Sequence, residues 1–166
     1  MILLGITLVL AIVTTCVLPA LAGLQEGLDA FLRGDHKVAI EEWRPLAEQG
    51  DDVAQFNMGA VYDQGQGVKR DPIEALRWYK LSAAQGNTHA QTNMGLMYAE
   101  GQGIPQDYSE AFRWTLLAAE KGDAQAQLNL CLMHMTGKSL CNQRMLRPKS
   151  SIDYPKTALM KTFLHS

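Results

Sequence analysis

Positive charge, cysteine and long apolar runs are all scarce in this chain, and each scarcity closes off a class of explanation. The net charge is −2 and the pI about 6.1, so no basic surplus marks a nucleic-acid binder. The three cysteines, Cys16, Cys131 and Cys141, are too unevenly spaced, even with His134 and His165, to read as a zinc module. His36, His89, His134 and His165 occupy unrelated positions, and no paired carboxylates recur at a spacing that suggests a shared site. Gly65-Gln66-Gly67 lacks the lysine and the preceding strand of a phosphate loop, and Gly137-Lys138-Ser139 lacks the upstream glycine, so both read as turns. The chain is therefore expected to be no enzyme and to need no metal or cofactor. What remains is an ordinary globular composition, 47% apolar and 19% charged over 166 residues, enough for one domain.

The first 22 residues stand apart. Residues 1–18 carry no charged side chain, and residues 2–13 are almost wholly apolar. That run falls short of the roughly 20 residues needed to cross a bilayer. Pro19 is expected to stop its helix, and Ala20-Leu21-Ala22 has the small-x-small form of a signal peptidase site. The expectation is a signal peptide over 1–22, cleaved after Ala22, and a periplasmic or secreted product. No Lys or Arg precedes the apolar run, so a retained segment is the alternative and the chain's only expected tie to a membrane. Cleavage leaves Cys131 and Cys141. They either pair in an oxidising compartment, closing a short loop worth about 3 kcal/mol at most, or remain free thiols.

Beyond this segment the sequence repeats. Ala54, Gln55, Asn57, Met58, Gly59 and Tyr62 recur 36 residues later as Ala90, Gln91, Asn93, Met94, Gly95 and Tyr98. Gly65-Gln66-Gly67 recurs as Gly101-Gln102-Gly103. Asp71, Glu74, Ala75, Arg77 and Trp78 recur as Asp107, Glu110, Ala111, Arg113 and Trp114. A third copy starts with Ala126, Gln127 and Asn129, and an earlier half-copy shows Ala39, Trp43, Leu46, Ala47 and Gly50. The division is a partial copy over 24–50, full copies over 51–86 and 87–122, and a partial copy over 123–137. Together they form one domain over 23–137, followed by a basic segment over 138–166.

Each copy reads as two helices. Helix A opens after Asp51, Asn87 or Asp123, all good N-caps placed just after a glycine. Gly59 and Gly95 cost about 1 kcal/mol each in helix propensity, which close approach of a partner helix would compensate. Helix B opens with Asp71-Pro72-Ile73-Glu74, a capping box with proline at the first helical position. Ala75, Trp78 or Tyr79, and Ala83 form its packing face. One hairpin cannot bury both of its faces, so neighbours must stack into an all-α solenoid.

The motif Ala-Gln-x-Asn-Met-Gly-x-x-Tyr-x-x-Gly-Gln-Gly, followed by Asp-x-x-Glu-Ala-x-Arg-Trp, closely resembles the Sel-one-like repeat, a relative of the tetratricopeptide repeat. The resemblance covers residues 35–137. It implies a right-handed α/α superhelix with helix A lining a concave face, and a protein- or peptide-binding adaptor or scaffold, often exported. On that alignment Asn57, Asn93 and Asn129 form a ladder near the groove, where an amide can both donate to and accept from a bound peptide. The groove walls would include Phe56, Ala60, Asp63, Thr92, Leu96 and Glu100. Some cysteine-rich relatives bind or hydrolyse β-lactams. They carry a cysteine pair in nearly every repeat, whereas this chain has none in either full copy. Trp43, Trp78, Trp114, Arg77 and Arg113 hold fixed repeat positions and read as hairpin packing.

The third copy departs from the pattern. Cys131 replaces the glycine and His134 the tyrosine, and after Gly137 the Asp, Glu-Ala and Trp never appear. From Lys138 onward six Lys or Arg face one acid, Asp153, leaving +5 there and −7 on the rest. This reads as a truncated array or a degenerate cap with a basic end. The exported protein is expected to begin at Gly23. Lipidation at Cys16 is a further alternative, though Val13, Thr14 and Thr15 fit such a site poorly. An intact mass that retains Met1, or carries a lipid, would reject the cleaved-signal expectation.

Overall fold

The computed structural model describes residues 18–136, with side chains from residue 21. Among these residues there are seven helices and no strand. They are α1 (Leu18–Leu32), α2 (His36–Glu48), α3 (Asp52–Gln64), α4 (Pro72–Ala84), α5 (Thr88–Glu100), α6 (Tyr108–Glu120) and α7 (Ala124–Met135). Each packs chiefly on its neighbours in the chain, the contact pattern of a solenoid. α3, α5 and α7 are the A helices of the repeats, and α4 and α6 the B helices.

The helix starts fall where the capping residues predict. Asp51 accepts from the Ala54 amide at 2.7 Å, Asn87 from Ala90 at 3.1 Å and Asp123 from Ala126 at 2.8 Å. Asp71 accepts from the amides of Ile73 and Glu74, and Asp107 from those of Ser109 and Glu110. Each cap satisfies a donor that the helix leaves unpaired, worth about 1 kcal/mol. Gly65 and Gly101 end α3 and α5 with φ near 71°, a left-handed backbone that costs other residues dearly. The second glycine of each turn serves contact. A Cβ on Gly67 would lie 2.7 Å from His36 Cβ, and one on Gly103 2.8 Å from Pro72 Cβ. Each turn thus rests on the first residue of the preceding B helix or its equivalent. Pro19 lies within α1, and the apolar run whose helix it is expected to stop lies outside the described residues.

Helix A meets helix B at glycine. A Cβ on Gly59 would stand 2.5 Å from Tyr79 Cδ1, and one on Gly95 would strike Thr115 Oγ1. In the first hairpin Gly27 meets Trp43, whose indole N–H donates to Leu24 O at 3.2 Å. The choice between Trp78 and Tyr79 resolves as both. Trp78 packs with Met58, Val61 and Ile40, and Tyr79 with Met94 and Met97, so α4 seals two successive layers of core. Trp43 and Trp78 are buried and Trp114 half-buried, and the Arg77 and Arg113 guanidinium groups lie over Trp78 and Trp114. A repeated glutamine ties the hairpins together. Gln55, Gln91 and Gln127 donate to the carbonyls of Ala47, Ala83 and Ala119 at 3.0, 3.0 and 3.4 Å, closing the end of the preceding helix.

Gly59→Ala should therefore lower stability by about 1–3 kcal/mol, because overpacking against Tyr79 outweighs the gain in helix propensity. Thermal melting checks this. A variant that melts higher than the parent would refute the close-contact account.

Candidate partner-binding face

The three A helices are neighbours. The Phe56 ring of α3 lies 5.8 Å from the His89 ring of α5, and His89 Nδ1 stands 3.3 Å from Asp123 Oδ2 at the start of α7. At the other helix ends Arg70 joins successive turns. Its Nε donates to Asp63 O at 2.6 Å, and its Nη2 lies 3.4 Å from Asp63 Oδ1 and 2.5 Å from Gln102 Oε1. Neither His89 nor Arg70 was singled out from the sequence. Gln106, 36 residues later, likewise donates to the carbonyl seven residues before it, Ala99 O, at 2.7 Å, but the change from Arg to Gln hides this equivalence in the sequence.

The three asparagines of the expected ladder occupy three different settings. Asn57 and Asn93 are half-buried. Asn93 also bonds inward, to the Tyr79 hydroxyl on the preceding B helix. Asn129 is 9% exposed. Its Oδ1 accepts from Gln125 at 3.0 Å, while its buried Nδ2 has no partner. The contrast has a local cause. The residue 36 after Tyr79 is Thr115, whose hydroxyl is spent on Ala111 O at 2.7 Å and does not substitute for the phenol.

Of the expected wall residues, Phe56, Ala60 and Asp63 are half-buried, and Leu96 and Glu100 are exposed. Thr92 is 4% exposed, and its hydroxyl donates to Thr88 O at 3.0 Å. It therefore lies within the packing and offers no open wall, a correction to the sequence expectation. A threonine hydroxyl in a helix readily bonds the carbonyl four residues back. The face turns apolar toward α7. Leu96 is 37% exposed, Leu128 53%, Leu132 49% and Met135 78%. Its helices α3, α5 and α7 contain no Lys or Arg.

Electrostatics single out Tyr79. Burial pushes its phenol well above the ordinary value of 10.0, the nearby Asp63 charge adds to this, and the Asn93 bond opposes it. On α4, Glu74 is held below the usual carboxylate range chiefly by its hydrogen bonds from Arg77. Among the described residues, no three His, Cys, Asp or Glu side chains gather to hold a metal ion. Cys131 lies exposed on α7 with its Sγ 4.0 Å from Met135 Sδ, and His134 packs edge-on to Phe112 at 5.9 Å. Cys141, and with it the expected pairing, lies outside the described residues.

Three consecutive stretches of the chain, residues 52–87, 88–123 and 124–143, match the Sel1 repeat. The first residue of each is the first residue of α3, α5 and α7. The chain belongs to the Sel1 repeat family. Among solved structures, a Sel1 repeat protein from Oxalobacter formigenes is similar at 34% identity and TM-score 0.66, over 71% of this chain and 50% of that one. A protective antigen of uropathogenic Escherichia coli strains, displaying an SLR fold, is similar at 32% identity and TM-score 0.66, over 70% of this chain and 26% of that one. The chain thus spans about half and about a quarter of these two structures. No curated protein matches it.

The raised phenol has a defined consequence. Up to the ordinary tyrosine value, folded and unfolded Tyr79 are both protonated and contribute no pH dependence. Above about pH 10 the unfolded chain ionises first, so stability falls as pH rises toward the folded value. Tyr79→Phe should flatten that alkaline loss, measured as melting temperature against pH from 8 to 11.5. An unchanged slope would place the loss elsewhere.

Proposed function

We propose that this chain is an exported adaptor that holds a protein or peptide segment against the face built by α3, α5 and α7. Sel1 repeats generally mediate contact between proteins. The observation that carries the proposal is the exposed apolar row on that face: Leu96, Leu128, Leu132 and Met135. Apolar rows of this kind on a soluble array mark interaction surfaces. Asn57, Asn93 and Asn129 stand at one repeat position beside the row. The half-buried Asn57 is the member best suited to pair with a partner's backbone, because Asn93 is engaged by Tyr79.

Export has its own support. Leu24, Ala30 and Phe31 pack α1 against the array, with Gly27 under Trp43, and all follow Ala22. Leu21 is exposed. Cleavage after Ala22 would keep these contacts.

Affinity capture from an envelope extract, identified by mass spectrometry, tests the adaptor role. A specific partner should be captured by the parent protein and lost with Leu96→Glu, while the melting temperature stays within a few degrees. Capture that Leu96→Glu and Asn57→Ala leave intact would remove this face from the function.

A further inference from the structure

The charge layout along the A helices bears on what the face can hold. α3 and α5 carry Asp52, Asp63 and Glu100, and no cationic side chain sits in the last turn of either helix. Their C-terminal ends lie along one edge, joined by Arg70 from Asp63 to Gln102. Each helix end adds a partial negative charge of roughly half a unit there. Arg70 is held by Asp63 and Gln102, and Arg44 lies 3.3 Å from the Tyr62 hydroxyl. Lys69 lies exposed in the turn beside Arg70. Glu100 meets the neutral amide of Gln102, stays exposed and forms no ion pair among the described residues. The carboxylate on this edge open to a ligand's cation is therefore Glu100.

The apolar part of the face is graded in the opposite sense. At one repeat position Ala60 is followed by Leu96 and then Leu132. At another, Asp63 is followed by Ala99 and then Met135, so an acid gives way to a bulky thioether. A third position runs from half-buried Phe56 through buried Thr92 to exposed Leu128. α7 contains no Asp, Glu, Lys or Arg at all. A ligand lying across the three helices thus meets the Glu100 carboxylate at the end of α5 and the exposed Leu128, Leu132 and Met135 on α7.

We infer that the segment bound by this face is a cationic peptide stretch with bulky aliphatic or aromatic side chains beside its Lys or Arg residues. The inference rests on the adaptor reading of the same face. The bulky side chains lie on Leu96, Leu128, Leu132 and Met135, and a cation lies at Glu100. An acidic segment would lose its hydration at this edge and gain no counter-charge.

The test selects a random peptide library displayed on phage against the full-length protein, then titrates synthetic copies of the winners by fluorescence anisotropy. The expected winners are rich in Lys or Arg together with Leu, Met or Phe. Leu132→Glu should weaken them about tenfold or more, Glu100→Lys about fivefold, and added salt should weaken them further. Met135→Glu, at the most exposed position of the row, replaces Leu132→Glu if that variant melts early. Winners that are acidic or free of charge bias, yet still lost on Leu132→Glu, would overturn this inference and leave the adaptor face standing. Winners untouched by all three variants would overturn both. A dimer of the free chain in sedimentation that Leu132→Glu dissociates would also overturn it, because the face would then belong to a second copy.

Discussion

Close approach of helix A to helix B through a glycine is the constraint on which the array depends. At Gly59 and Gly95 the partner's side chain occupies the place a Cβ would take. That contact sets how near the two helices of a hairpin lie, and hence how far each hairpin can tuck under the next. The facing residue changes along the array, from Trp43 to Tyr79 to Thr115, each 36 residues on. The trend runs from a large ring to a small hydroxyl, so layers with the same backbone pattern differ in depth and polarity. Trp43 and Tyr79 are long enough to bond beyond their own helix, to Leu24 O and to Asn93. Thr115 turns back on its own helix, and the Asn129 amide loses the partner that Asn93 enjoys.

Between hairpins the joints are polar. The glutamines at 55, 91 and 127 each close a carbonyl at the end of the preceding helix. Gln85 adds a second bond from the next hairpin, to Gly50 O at 2.8 Å, and Lys121 makes the equivalent bond to Gly86 O at 3.0 Å. The Gln55 and Gln91 bonds are buried, and a buried amide bonded to a buried carbonyl favours one register over its neighbours, since a slip would strand both groups. Stability in such an array is close to a sum over hairpins and joints. The end of the described array bears a price in exposure: on α7 the glycine position is held by Cys131, and Leu128, Leu132 and Met135 face outward.

This architecture separates the surfaces by job. The B helices carry Arg77, Lys80 and Arg113, and Arg77 and Arg113 lie over tryptophans while pairing with Glu74 and Glu110. The A helices carry no such cations. The cationic side chains of the two full repeats' helices therefore lie on the B helices, balanced there by Glu74, Glu110 and Glu120, and the A-helix face keeps Glu100 and its apolar row.

Most of the fold was legible in the residues, because repetition makes each local signal appear more than once. Asp51, Asn87 and Asp123 mark three helix starts at one phase, and a cap acts on backbone only a few residues away. Glycine at one phase announced a close contact without naming what made it. The binding face was less legible. Periodicity assigns Asn57, Asn93 and Asn129 one position, yet their surroundings depend on what a different helix presents. Thr92 shows the same limit, since its phase places it beside the groove and its neighbours bury it. The chain alone determined the helices, their caps, their turns and their order, all set by interactions within a few residues. Tertiary packing alone decided which polar groups are spent inside the array and which apolar ones stay exposed, because both depend on side-chain length across a contact that the repeat period leaves free.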